Sequence, residues 1–89
     1  MMRVWKFKLE LVDRQVVQMP FGAQLLDVQM QAGKCCLWAL CDENAHMSER
    51  NIAIYGTGNP MPDNPGKYVG TFQLFYGNLV FHLFDCDAA

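Results

Sequence analysis

Catalysis needs a nucleophile or a metal and a positioned acid–base group, all within hydrogen-bond reach. The side chains that could supply these are His46 and His82, four cysteines (Cys35, Cys36, Cys41, Cys86) and a few carboxylates. His82 sits mid-run on the face of Val80 and Phe84 and reads as a satisfied core or rim histidine, whereas His46 lies in a polar, solvated stretch. Cys86 near His82 is an example of a Cys–His nucleophile pair, and nothing specific in the sequence supports it. Ser48 stands without a G-x-S-x-G context. The C-C-x4-C run lacks the C-x2-C spacing of structural zinc sites, and strand alternation sends Cys35 and Cys36 to opposite faces. Asp85 and Asp87 share one side of the chain end, and Asp42 and Glu43 are adjacent. Paired carboxylates can hold a hard cation, but at a terminus and a turn they read as solubility. The expectation is no catalytic residue, no metal and no cofactor.

A second chemistry is possible in Ile54 to Gly70, I-Y-G-T-G-N-P-M-P-D-N-P-G-K-Y-V-G. Backbone N–H groups freed of side-chain obstruction can cradle an anion, and Gly56 to Asn59 is G-T-G-N. That falls short of a phosphate-loop motif, and no helix follows to add its dipole. Pro60, Pro62 and Pro65 stiffen the loop, and a stiff loop loses less entropy on binding. One reading is a structural cap over an end of the fold. The sharper reading is a preformed binding edge contacted through Tyr55, Gly56, Thr57, Gly58, Asn59, Met61, Asp63, Asn64 and Tyr68.

The elements that must position this loop read as strands. Trp5, Phe7, Leu9 and Leu11 alternate with Lys6, Lys8 and Glu10, a period of two over Arg3 to Leu11. Gln15 to Met19 reads as a second strand pairing back on the first and ended by Pro20. In Gln24 to Ala32, Leu26, Val28 and Met30 point one way; Ala32-Gly33-Lys34 then turns the chain. Cys35 to Cys41 is apolar on both faces, as in a central strand or one facing a sister subunit. Asp42 to Arg50 reads as a surface connection with at most one helical turn. Asn51 to Tyr55, Tyr68 to Phe75 and Leu79 to Phe84 complete the set, with Tyr68, Gly70, Phe72 and Leu74 sharing a face. Tyr76-Gly77-Asn78 closes the last hairpin, and Asp85 to Ala89 should fray. The fold class is all-β: about seven short antiparallel strands in a small sandwich or barrel, with a Gly/Pro-rich loop at Gly56 to Gly66.

Composition narrows the partners. At 89 residues the chain is one domain, 1–89, and 52% hydrophobic content excludes a disordered chain. The net charge of −2 and the lack of a Lys/Arg run argue against nucleic acid; Arg3, Lys6 and Lys8 come closest. No run reaches the ~18 apolar residues of a membrane span. The charged N-terminus does not fit a signal peptide. Reduced thiols and a cytoplasmic location follow as expectations.

The chain resembles an uncharacterised family of small proteins encoded by phages, prophages and some bacteria. The resemblance is carried by D-R-Q at Asp13 to Gln15, M-P-F-G-A at Met19 to Ala23 and C-L-W-A-L at Cys36 to Leu40. It continues in Ile54 to Gln73 and in L-V-F-H-L-F at Leu79 to Phe84. It implies a phage or mobile-element setting inside a host cell and brings no residue roles. The leading expectation is a non-enzymatic binding protein acting by stoichiometric contact with a host protein, such as a host-defence component. One alternative is a sponge that sequesters a small nucleotide ligand, with Trp38, Tyr55 or Tyr68 stacking on its base. Others are a virion structural or assembly protein, whose Cys35 to Cys41 strand would face a sister subunit in a homodimer, and a small hydrolase using Cys86 or His82.

Overall fold

The computed structural model describes Met1–Ala89. Seven strands follow in order: β1 (Met2–Leu9), β2 (Arg14–Pro20), β3 (Gln24–Gln31), β4 (Lys34–Asp42), β5 (Met47–Gly56), β6 (Lys67–Leu74) and β7 (Leu79–Asp85). They form two antiparallel sheets, ordered β1-β4-β3 and β2-β5-β7-β6. The fold is an all-β sandwich, and β4 is the central strand of its sheet, as its doubly apolar sequence requires.

The core lies between the sheets. Val28, Leu37, Ala39 and Cys41 come from one side, and Met19, Ile52, Ile54, Phe72 and Leu83 from the other. Full burial of one such side chain is worth about 1.5–3 kcal/mol. The two sheets approach closely where β3 runs beside β6. A Cβ on Gly70 would lie 2.8 Å from Asp27 Oδ1 and 3.0 Å from Val28 Cγ1, so only glycine fits there without displacement.

Several expectations are corrected. β2 does not pair with β1: β1 joins β4, while β2 joins β5 in the other sheet. The Asp13-Arg14 step lacks the glycine of a tight hairpin, and the chain crosses between sheets there instead. Leu11 lies past the end of β1 and is exposed. The Asp42 to Arg50 stretch contains no helical turn; Asp42 Oδ1 accepts the Asn44 N–H at 3.0 Å in a short turn, and β5 already begins at Met47.

Two register shifts reverse local faces. One between Leu25 and Asp27 turns Leu25 inward with Val28 and Met30 and leaves Leu26 exposed. The other, between Tyr68 and Gly70, sends Tyr68 to the face opposite Gly70 and Phe72. A bulge inserts one residue and so inverts every side chain beyond it.

The chain end is tied down rather than frayed. Asp85 is buried and binds Arg50 Nη1 at 2.9 Å, while Arg50 Nη2 donates to the Ala23 carbonyl at 2.8 Å. The Asp87 carboxylate accepts the Asn51 N–H at 2.7 Å, and the Cys86 N–H donates to the Asn51 carbonyl at 2.9 Å.

Both hairpin turns use left-handed residues. Ala32 (φ 51°) and Gly33 (φ 77°) link β3 to β4. Between β6 and β7 it is Phe75 (φ 51°), Tyr76 (φ 56°) and Gly77 (φ 89°) that turn left-handed, rather than Asn78. Each non-glycine residue in that conformation costs about 1–2 kcal/mol.

Candidate functional site

Alternation along the four-stranded sheet places one set of side chains outward, away from Ile52, Ile54 and Leu83. On β7 these are Val80, His82 and Phe84; Tyr55 of β5 and Thr71 of β6 flank His82, and Tyr68 flanks Phe84. Phe84 holds both tyrosines edge-on, with ring centroids 5.8 Å from Tyr55 and 5.7 Å from Tyr68. Arg14 of β2 donates from Nη2 to the Tyr55 hydroxyl at 3.1 Å.

The polar atoms form one directed chain. The Val80 carbonyl can only accept, so the Thr57 hydroxyl, 3.3 Å away, donates to it. Thr57 Oγ1 then accepts from His82 Nε2–H at 2.8 Å, leaving Nδ1 to accept from the Thr71 hydroxyl at 3.0 Å. Thr71 in turn accepts from the Tyr68 hydroxyl at 2.6 Å. Every donor along Tyr68–Thr71–His82–Thr57–Val80 has one acceptor. The arrangement holds the neutral ring in the Nε2–H tautomer and fixes four side chains at once.

Of the residues expected at the site, Tyr55, Thr57 and Tyr68 are brought together here. Gly56 and Asn59 turn to one another: the Asn59 side-chain nitrogen lies 2.9 Å from where a Cβ on Gly56 would be, and the Asn59 N–H donates to the Gly56 carbonyl at 3.1 Å. Gly58 takes a positive φ of 86°. Because the Thr57 N–H also donates, at 3.0 Å, to Val80, two of the loop's N–H groups are already bound to carbonyls. Gly56 to Asn59 is a folded turn and not an open cradle. Met61, Asp63 and Asn64 are exposed on the loop, whose far end is pinned by Gly66 against the backbone of Asp85. Asn64 borders a shallow hollow with Cys86 and Asp87.

Arg14, Thr71 and Phe84 were not among the expected site residues. Strand alternation groups Val80, His82, Phe84 and Cys86, but joining them to Arg14 requires the β2–β5–β7 order, and joining them to Tyr68 requires the bulge. His82 is on the solvent-facing side and not in the core, with both ring nitrogens on threonines. Cys86 instead lies 3.9 Å from Arg14 Nη1. Burial pushes the Cys86 thiol above its ordinary range, a shift that the Arg14 charge only partly opposes.

A cleft of about 600 Å³ opens beside the Asp85 end of β7, lined in part by Phe21, Ser48, Arg50, Lys67 and Asp85. Its Arg50 and Asp85 side chains are bound to each other, whereas Lys67 on the lining takes part in no ion pair.

No helix is long and apolar enough to cross a membrane, and no group of three or more metal-ligating side chains is assembled. No curated protein and no solved structure matches the chain. A family match does cover nearly its whole length: over residues 1–88 the chain belongs to the family described as Domain of unknown function (DUF7352).

Proposed function

We propose that the protein is a non-enzymatic binding module that acts by stoichiometric contact with a partner protein, through the outer face of its four-stranded sheet. The observation that carries this reading is the directed chain from Tyr68 to Thr57, which fixes tyrosine, histidine and threonine side chains on a solvent-facing surface. Preorganised side chains lose little entropy on binding, and tyrosine and arginine are the residues that most often anchor protein interfaces. Arg14 takes part in no ion pair and offers a partner an unneutralised cation beside Tyr55. The phage or mobile-element setting implied by the resemblance makes a host cytoplasmic protein, such as a defence component, the partner to look for. The exposed loop residues Asn59, Met61, Asp63 and Asn64 would form the rim.

The test is site-specific photocrosslinking in the natural host type, with a benzophenone amino acid at the exposed rim residue Met61 and, on the opposite sheet, at Val4. The reading expects one partner captured at 1:1 from position 61, none from position 4, and loss of capture on Arg14→Ala. Equal capture from both positions would sink it. Failure to capture, with a small molecule retained in native mass spectrometry, would move the assignment to the nucleotide sponge. Capture of a virion component would move it to assembly.

A further inference from the structure

The opposite face of the molecule carries an independent feature. Lys6 and Lys8 of β1 and Lys34 at the start of β4 gather on the outer side of the three-stranded sheet. Lys8 stands directly across from Cys36, and Lys34 lies two residues before Cys36 on the same face. Lys6 stands across from Trp38, and its Nζ donates to Gln31 Oε1 of β3 at 2.9 Å. Cys36 is only 4% exposed although it faces outward, as expected where long aliphatic stems lie over it.

These three ammonium groups have no carboxylate partners. The ion pairs of the molecule are Met1 amino–Asp42, Arg3–Glu43 and Arg50–Asp85. Asp27, across from Trp38 on β3, has both oxygens occupied: Oδ1 accepts the Val28 N–H at 2.8 Å and Oδ2 the Gln29 side-chain amide at 3.2 Å. Glu10 lies past the end of β1 and pairs with neither neighbouring lysine. The Lys34 pKa is lowered, first by its side-chain contact with Lys8 and then by the Lys8 charge. A protein of net charge −2 therefore keeps three unneutralised cations on one face. The half-exposed Trp38 is the next outward residue of β4 beyond Cys36.

We propose that this face binds single-stranded nucleic acid, with phosphates on Lys6, Lys8 and Lys34 and a base against Trp38. Lysine ammoniums neutralise phosphates without regard to sequence, and every base has a face that can stack on an indole. The exposed amides of Gln29 and Gln31 can both donate and accept beside the lysines. An acidic peptide would use the lysines but leave Trp38 without a role, so a nucleic-acid strand uses more of the surface. The sequence alone argued against such binding because its lysines are scattered; the β3–β4 turn and β1–β4 pairing bring three of them together.

The test is fluorescence anisotropy of a labelled oligothymidylate of about twelve nucleotides, within the usual site size of a small sheet binder, with polyglutamate as the competing polyanion. Emission is read in a Trp5→Phe background so that Trp38 alone reports, with circular dichroism confirming the fold. Saturable binding is expected, with log K falling against log salt at a slope of about −2 for three phosphates on a single strand. Lys8→Gln with Lys34→Gln should weaken binding about tenfold and flatten that slope to about −0.7. Trp38→Leu should weaken binding about tenfold. No saturable binding, or affinity unchanged in the lysine variant, overturns the proposal. Equal binding of polyglutamate with no change in Trp38 emission overturns it in favour of an acidic peptide. Arg14 and Tyr68 are untouched by these variants, so this proposal and the proposed partner face fail separately.

Discussion

The Tyr68 hydroxyl stands 2.6 Å from Thr71 Oγ1, although residues three apart on a regular strand face opposite ways. The extra residue at Val69 makes the contact possible, by offsetting Tyr68 from Gly70 against β7. A single bulge thus joins the tyrosine to the histidine network and keeps Gly70 in the core.

Thr71→Val removes the acceptor for Tyr68 and the donor for His82 together. Loss of these hydrogen bonds should lower unfolding free energy by about 1–2 kcal/mol in urea titration. In the unaltered protein at a pH where the ring is neutral, long-range ¹H–¹⁵N spectra should show the proton on Nε2 of His82. A dominant Nδ1–H form would contradict the direction of the chain.

Gly70→Ala places a methyl against Asp27 and Val28. Overpacking of this kind costs about 1–3 kcal/mol. With Val28→Ala added, the double variant should be more stable than the sum of the single losses allows. Strict additivity would mean that β3 and β6 do not press together here.

Asp85→Asn leaves the Arg50 guanidinium unpaired where it is 13% exposed. Breaking a buried pair costs about 3–5 kcal/mol, so the variant should unfold at much lower urea. The double variant Arg50→Met, Asp85→Leu should recover most of that loss, because it removes both charges.

Burial pushes the Cys35 thiol from 9.0 up to about 11. Below pH 9 the thiol is protonated in both folded and unfolded chains. Between about 9 and 11 the unfolded chain releases its proton first, so stability falls as pH rises through this window. Cys41 and Cys86 are shifted in the same direction by burial. Urea titrations on both sides of the window should show a smaller loss in Cys35→Ala than in the unaltered protein.

Phe75 and Tyr76 hold left-handed positions that asparagine and glycine occupy more readily. Replacing the pair with Asn-Gly should stabilise the protein by about 1 kcal/mol and raise its thermal midpoint. No gain would place the strain elsewhere in the hairpin.

The seven strands were legible in the sequence because period-two alternation and Gly/Pro punctuation are local signals. The doubly apolar Cys35 to Cys41 run even marked its strand as central. The partners were not legible, because nothing near Gln15 to Met19 says that it pairs with residues beyond Met47 and not with its neighbour. Bulges carry no residue signature, and both misassigned faces, at Leu25 and Tyr68, follow from them. The polar look of Ser48 to Arg50 hid the first part of β5, since Arg50 is held by Asp85 rather than by apolar contacts. Within the candidate site, Tyr55, Thr57 and Tyr68 were singled out from the Gly/Pro loop sequence. Arg14 and Phe84 arrive from distant strands, and the loop sequence gives no hint of them.

The pairing of β1 with β4 and of β2 with β5 also governs how the chain can assemble. Only the β3–β4 and β6–β7 contacts join neighbours, and such hairpins close in about 1–10 μs. Every other ladder waits for a partner made later: β1 stays unpaired until β4 has been made, and β5 gains its second neighbour only once β7 follows. A chain so dependent on non-local pairing folds in the millisecond-to-second range, and its aromatic first strand is exposed until β4 has been made.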